Sequence, residues 1–489
     1  MAAASAAGRR AVAKRGTSHT VAGETLARTV RGAERDHNEF VVHTALLGAP
    51  PPSPAAGIVD MNSRNSTPKN LGRAPVVPAA TVVRVAGPED LLAYIPYRLG
   101  FEPVESVVAV SLAGPRQRVG LVARVDLDDL RLRRPDDPEG PDGAATARWL
   151  TDHVVADCAD RAVVVLYTAT DATAPSGVAR RAAELLRARL ERRLPGTEVW
   201  LVTPTGFRAL DCTDPMCCPA EGRPLSALQG TRIAAHMVLE GRSVAGTREE
   251  RYALRAAPEV ARTQARRAAA RWTDAHRRLV NGTRFPAAEA EARRAERALA
   301  EWGAESLGLW RSAVRAAAGA RPGQPVTLSP VDLGKIGAAL ADTPVRDAVL
   351  LSLAPGTEAT ALRTARREVD GDTDAATGTV MAQIVDPERG VPPDEEITRA
   401  ASQVLEAVAT HVPRNRRAPA YLLLALVAWW HGDGGLAAER VSDALGVDPE
   451  YRLALLLRGA IAGGVPPGWV RREQASFHGD PEPEEVAAV

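Results

Sequence analysis

The pattern that most restricts this chain lies between residues 162 and 202. Ala162-Val163-Val164-Val165-Leu166-Tyr167 is a continuous apolar run, the pattern of a strand covered on both faces. An arginine-studded helical stretch, Ser176 to Arg193, follows and stops at Pro195-Gly196, and Glu198 to Val202 reads as a second strand. Strand, helix and strand at this spacing form a βαβ unit, so the two strands are expected to be parallel with a right-handed crossover. Such a unit demands a layered sheet.

The segments around it fit that sheet. Thr81 to Val85 is β-branched and predicts a strand. Gly87-Pro88-Glu89-Asp90 starts a helix carrying Leu91, Leu92, Ile95 and Leu99 at helical spacing and stopping at Gly100, and Pro96 is expected to bend or shorten it. Ser106 to Leu112 and Val119 to Leu127 predict two strands joined by a Gly114-Pro115 turn, a link short enough to make them antiparallel. Helices are expected over 144–159 and 226–239, with a short strand from Phe207 to Leu210.

From Thr247 onward the only elements that the sequence predicts are helices. The fold class is therefore α/β plus all-α: a mixed, partly parallel sheet domain with flanking helices, followed by a helical C-terminal domain. We divide the chain into a Pro- and Arg-rich extension over 1–78, the α/β domain over 79–246, an Arg/Ala-rich helical arm over 247–325, a helical domain over 326–472 and an acidic tail over 473–489. Pro50-Pro51-Pro52-Ser53-Pro54 cannot sit in a regular element, and Met61 is an alternative start. Ala425, Trp429, Gly432, Ala437, Ala444, Leu445, Asp448 and Pro449 fall where a tetratricopeptide-type hairpin places small and apolar residues. Pro449 is expected to start the next helix. A single such unit must stack on the helices before it.

Composition narrows the function. The net charge is +1 and charged residues make up 25% of the chain, which gives no global bias toward nucleic acid or anionic membrane. The longest apolar run, Tyr421 to Trp430, is about half of a membrane span. Four cysteines in 489 residues do not make a disulfide framework, which points to a reducing, cytoplasmic setting. No phosphate loop, dinucleotide fingerprint, zinc-protease or nucleophile-elbow motif occurs.

Three of the four cysteines stand in Asp211-Cys212-Thr213-Asp214-Pro215-Met216-Cys217-Cys218-Pro219. Three readings are open. Cys212, Cys217 and Cys218 supply three ligands for zinc, with Asp214 or His236 as a fourth. A redox or nucleophilic thiol needs a lowered pKa, which Arg223 or the following helix could provide. An ordinary turn shaped by Pro215 and Pro219 needs neither. A second loop, with Thr168, Thr170, Asp171, Thr173 and Ser176, enters a helix and could hold an anion or simply cap it. Thr168, Asp171, Ser176, Asp214 and Arg223 together outline a candidate crevice beyond the strand ends. Arginines between Arg248 and Arg321 are interleaved with glutamates and lack stacking aromatics, so a solvated helix face is expected rather than a nucleic-acid surface.

A family resemblance rests on Asp90-Leu91-Leu92-Ala93-Tyr94-Ile95-Pro96-Tyr97-Arg98-Leu99-Gly100-Phe101-Glu102-Pro103, on Ser106-Val107-Val108, on Arg124-Val125-Asp126-Leu127, on the run from Cys212 to Gly222, and on Ala425 to Gly432 and Asp448 to Ala454. On these the chain resembles the actinobacterial family known as domain of unknown function 4192, over about residues 81 to 470. The resemblance implies a bacterial cytoplasmic protein starting near Met61 and implies no particular activity.

The expectation is a non-catalytic, cytoplasmic interaction or regulatory module, with a protein partner or self-association through its C-terminal helices and no cofactor. The competing class is a metal- or redox-dependent enzyme or sensor at Cys212, Cys217 and Cys218. Nucleic-acid binding through the arginine helices is the third.

Overall fold

The computed structural model describes residues 87–114, 117–132, 142–157, 159–170, 177–320, 326–368 and 370–476. The strand expected at Thr81 to Val85, the extension over 1–78 and most of the acidic tail lie outside them. The described chain divides into two units, 87–251 and 252–476.

The first unit is built on a five-stranded mixed sheet. Helix α1 (Pro88–Leu99) is followed by β1 (Ser106–Ala113) and β2 (Arg118–Asp126), then α2 (Gly143–Ala156), β3 (Arg161–Tyr167), α3 (Val178–Leu190), β4 (Glu198–Val202) and β5 (Phe207–Ala209). Two short helices, α4 (Ser226–Gln229) and α5 (Arg232–Leu239), follow. The strand order is β2-β1-β3-β4-β5. β3 and β4 are parallel, as the βαβ pattern requires, and β1 is antiparallel to both β2 and β3. Ser106 to Leu112 are all buried, because helices cover both faces of the central strands.

Pro96 does not shorten α1. The helix runs on to Leu99, and the Gly100 N–H closes on the Pro96 carbonyl at 2.7 Å. Burial of Leu91, Leu92, Ile95 and Leu99 on one face outweighs the single N–H the proline removes. The helix expected over 226–239 is two helices. Gly230 ends the first, and the Thr231 hydroxyl accepts the Ala234 N–H to start the second.

After the junction helix α6 (Arg248–Tyr252), the second unit is all-helical among its described residues. It opens with two long helices, α7 (Glu259–Arg284) and α8 (Glu289–Ala318). Next come α9 (Pro330–Ala339), α10 (Thr343–Leu351), α11 (Glu358–Ala365), α12 (Gly371–Val385) and α13 (Glu395–His411). The last four are α14 (Ala418–Trp430), α15 (Gly434–Val447), α16 (Arg452–Ala462) and α17 (Gly468–Ser476). The long helices meet their neighbours through small residues: Ala265, Ala268 and Ala269 are buried, and a Cβ on Gly334 would stand 2.2 Å from the Ala265 carbonyl oxygen. Their arginines pair locally, Arg262 with Glu259, Arg277 with Asp274 and Arg293 with Glu289.

The apolar run Tyr421 to Trp430 forms most of α14, a core helix buried nearly all round. Its tryptophans satisfy their indole N–H groups on backbone carbonyls: Trp429 on Val465 at 2.9 Å and Trp430 on Val391 at 2.9 Å. Trp469 in turn donates to the Trp430 carbonyl at 2.8 Å. Gly432, at φ 75°, turns the chain from α14 into α15, and Asp433 caps α15 by accepting the Leu436 N–H. Pro449 lies in the turn before α16, which begins at Arg452. Among the described residues no helix is long and apolar enough to cross a membrane.

His431 sits at the end of α14 with Nε2 2.7 Å from the Thr398 hydroxyl, and burial holds its imidazole below the usual histidine range. The folded state therefore stays neutral where the unfolded chain takes up a proton, so stability falls as pH drops below about 6.5. We expect His431→Gln to flatten the slope of melting temperature against pH between about 6.5 and 5. An unchanged slope would show that other groups set it.

Candidate cysteine site

The cysteine loop grows out of β5. Leu210 N–H donates to the Val199 carbonyl at 2.9 Å, so pairing with β4 extends one residue past the strand. Asp211 is then anchored to α3 by ion pairs with Arg180 and Arg187. The chain turns at Asp214: its carboxylate accepts the Met216 N–H at 2.9 Å, and its carbonyl accepts the N–H groups of Cys217 and Cys218 at 3.2 and 2.8 Å. Pro215 presets the backbone for this turn. The loop closes where Arg223 exchanges backbone hydrogen bonds with Phe207 at 2.8 and 2.9 Å.

The result is a fixed platform carrying three thiols. The sulfurs of Cys212, Cys217 and Cys218 all lie within 4.8 Å of one another, and those of Cys217 and Cys218 are 3.9 Å apart. Two sulfurs on one tetrahedral zinc ion stand about 3.8 Å apart at the usual Zn–S length, so modest side-chain movement brings all three onto a single ion. Cys218 is buried, Cys212 half-buried and Cys217 exposed. The ligand set thus has an inner side in the fold and an outer side toward solvent. Hydrogen bonding with the Cys218 and Cys212 thiols, together with their charges, pushes the Cys217 thiol up to about 11. That is the reverse of the lowered pKa a reactive nucleophilic thiol needs. A cation that displaces the protons removes the mutual repulsion.

The other expected site residues sit apart from this trio. The Asp214 carboxylate caps its own turn, and the His236 imidazole faces Glu240 at 2.9 Å. Neither joins the set in which every ligand atom lies within 4.8 Å of the others. Arg223 pairs with Glu89 and lies over the Phe207 ring, 5.3 Å from its centre. Thr168 is buried at the carboxyl end of β3, where its hydroxyl donates to the Glu105 carboxylate at 2.9 Å and accepts the Thr170 N–H at 3.0 Å. Asp171 and Ser176 lie outside the described residues. The cysteine loop departs from Ala209, which is paired with Trp200 rather than with the strand-end residue Val202. Thr168 and Asp214 therefore belong to opposite ends of the sheet, and the structure does not assemble them into one crevice.

The sequence profile of the family described as Domain of unknown function (DUF4192) matches residues 88–385 and 394–468. No curated protein and no solved structure matches the chain. The profile spans both structural units and most of the 489 residues, so the chain belongs to the domain of unknown function 4192 family.

Proposed function

We propose that the protein is a non-catalytic regulatory module whose α/β unit binds a thiophilic metal ion of the zinc class through Cys212, Cys217 and Cys218. One observation carries this reading: three sulfurs brought within 4.8 Å by a loop braced on β5 and α3. Soft thiolates select zinc and cuprous ions over hard cations. Three protein ligands would leave a fourth coordination position for water or an incoming group, and Cys217 is the exposed member of the set. Free thiols of this kind persist in a reducing compartment, in keeping with a bacterial cytoplasmic protein.

Cobalt(II) titration tests the reading. A thiolate-to-cobalt charge-transfer band saturating at a single equivalent supports it, provided that Cys212→Ser, Cys217→Ser and Cys218→Ser each remove the band. Absence of the band in the native protein contradicts it.

A second reading rests on the antiparallel hairpin of α14 and α15 with α16 packed behind it, a tetratricopeptide-like arrangement suited to a protein partner or to self-association. Its apolar cavity, lined by Leu353, Met381, Trp429 and Trp430 among others, is about 20 Å³, room for one water-sized group and too small to seat a partner's side chain. The reading therefore rests on the outer faces of these helices as the surface a partner would meet. Light scattering across a concentration series distinguishes self-association from a monomer that awaits another protein.

A further inference from the structure

The carboxyl end of the sheet holds a second cluster, independent of the cysteines. β1 is antiparallel to both β2 and β3, so β2 and β3 run in the same direction and end together. At that end Ser106 of β1 pairs with Asp126 of β2 on one side and with Tyr167 of β3 on the other. Directly opposed residues share a face, so these three side chains form a row. Arg124 lies two residues before Asp126 on the same face. Its guanidinium reaches back to the row, 2.5 Å from the Asp126 carboxylate and 3.5 Å from the Val104 carbonyl. The Phe101 ring lies 6.0 Å from the guanidinium.

Ser106 is 0% exposed, Arg124 5% and Tyr167 6%. Even so, the Ser106 and Tyr167 hydroxyls and the Nε and Nη1 groups of Arg124 have no hydrogen-bond partner among the described residues. Four unpaired polar groups at one buried spot are a standing cost to stability. Folds retain such a cost where it serves a ligand, and the carboxyl ends of parallel strands are where open α/β sheets bind one. Three of the segments that carry the family resemblance meet here: Phe101-Glu102-Pro103, Ser106-Val107-Val108 and Arg124-Val125-Asp126-Leu127.

We propose that Ser106, Arg124 and Tyr167 form a binding site for a small monocarboxylate. The four unpaired groups are all able to donate, which calls for a ligand of acceptor oxygens. Asp126 already balances the charge of Arg124, so the site has no surplus positive charge for a phosphate dianion. Glu102, Val104 and Glu105 are exposed on the segment above the row, which puts the site next to solvent.

The test is a thermal-shift series on the full chain at fixed ionic strength. The probes are acetate, propionate, lactate and pyruvate, with inorganic phosphate as control, on the native protein, Tyr167→Phe and Ser106→Ala. Both variants keep the shape of the core and remove only a hydroxyl. We expect at least one monocarboxylate to raise the native melting temperature in a saturable way, and phosphate not to. Each variant should melt about 2–4 °C higher than the native protein when free and lose the ligand response. A lower melting temperature for the free variants would show that the hydroxyls have a structural partner such as an internal water, and would overturn the site. No response of the native protein to any monocarboxylate would do the same, and a response to phosphate alone would overturn the ligand class.

Discussion

Replacing Trp430 by alanine is expected to destabilise the helical unit by about 3–5 kcal/mol, a large share of the stability margin of an ordinary domain. Trp430 is 1% exposed and fills the space between α14 and the Val391 segment. Truncation loses the burial of an indole, opens a cavity that the surrounding helices cannot fully close, and leaves the Val391 carbonyl without its donor at 2.9 Å. A drop in melting temperature of roughly 10 °C is the corresponding signal for a unit of this size. Trp430→Phe should lose less, because most of the volume stays. A drop under about 2 °C for the alanine variant would mean that α14 is not the core helix its burial indicates.

Zinc is expected to raise the melting temperature of the α/β unit by roughly 5–10 °C at a free concentration about one hundred times its dissociation constant. The shift should vanish when Cys212, Cys217 and Cys218 are all serine. Binding requires thiolates, and the neighbouring thiols hold Cys217 protonated up to about 11. The zinc-dependent shift should therefore grow as pH rises through the neutral range. A shift that ignores pH, or one that survives the triple substitution, would place the metal elsewhere.

The parts of this fold that are legible in the sequence are those whose pattern is local. Ala162 to Tyr167 is apolar without interruption, because helices cover both faces of its strand, and the spacing to Glu198 forces a parallel partner. α12 is not legible. Its sequence from Gly371 to Val385 holds two glycines and three threonines, poor helix formers, and tertiary burial of Val380, Met381, Ile384 and Val385 supplies what propensity does not. Gly230 is invisible as a break because the residues on both sides keep a helical pattern.

The candidate sites divide in the same way. Three cysteines in seven positions mark a loop, but their spacing matches no common paired ligand motif, so only the turn at Asp214 and the brace from Asp211 to α3 reveal that the sulfurs converge. Ser106, Arg124 and Tyr167 are further from reach. Each is a polar residue in a largely apolar strand, and strand register, which sequence periodicity does not fix across a 61-residue separation, is what lines them up.

Whether the three sulfurs hold a metal is decided by the metal content of the full chain, purified without a tag or chelator and read by elemental analysis beside a count of reactive thiols. One equivalent of zinc, or of another thiophilic ion, is expected, with the three loop thiols shielded from alkylation until a chelator is added. Metal-free protein that stays metal-free after incubation with zinc, with all four cysteines alkylated at once, would contradict the metal site.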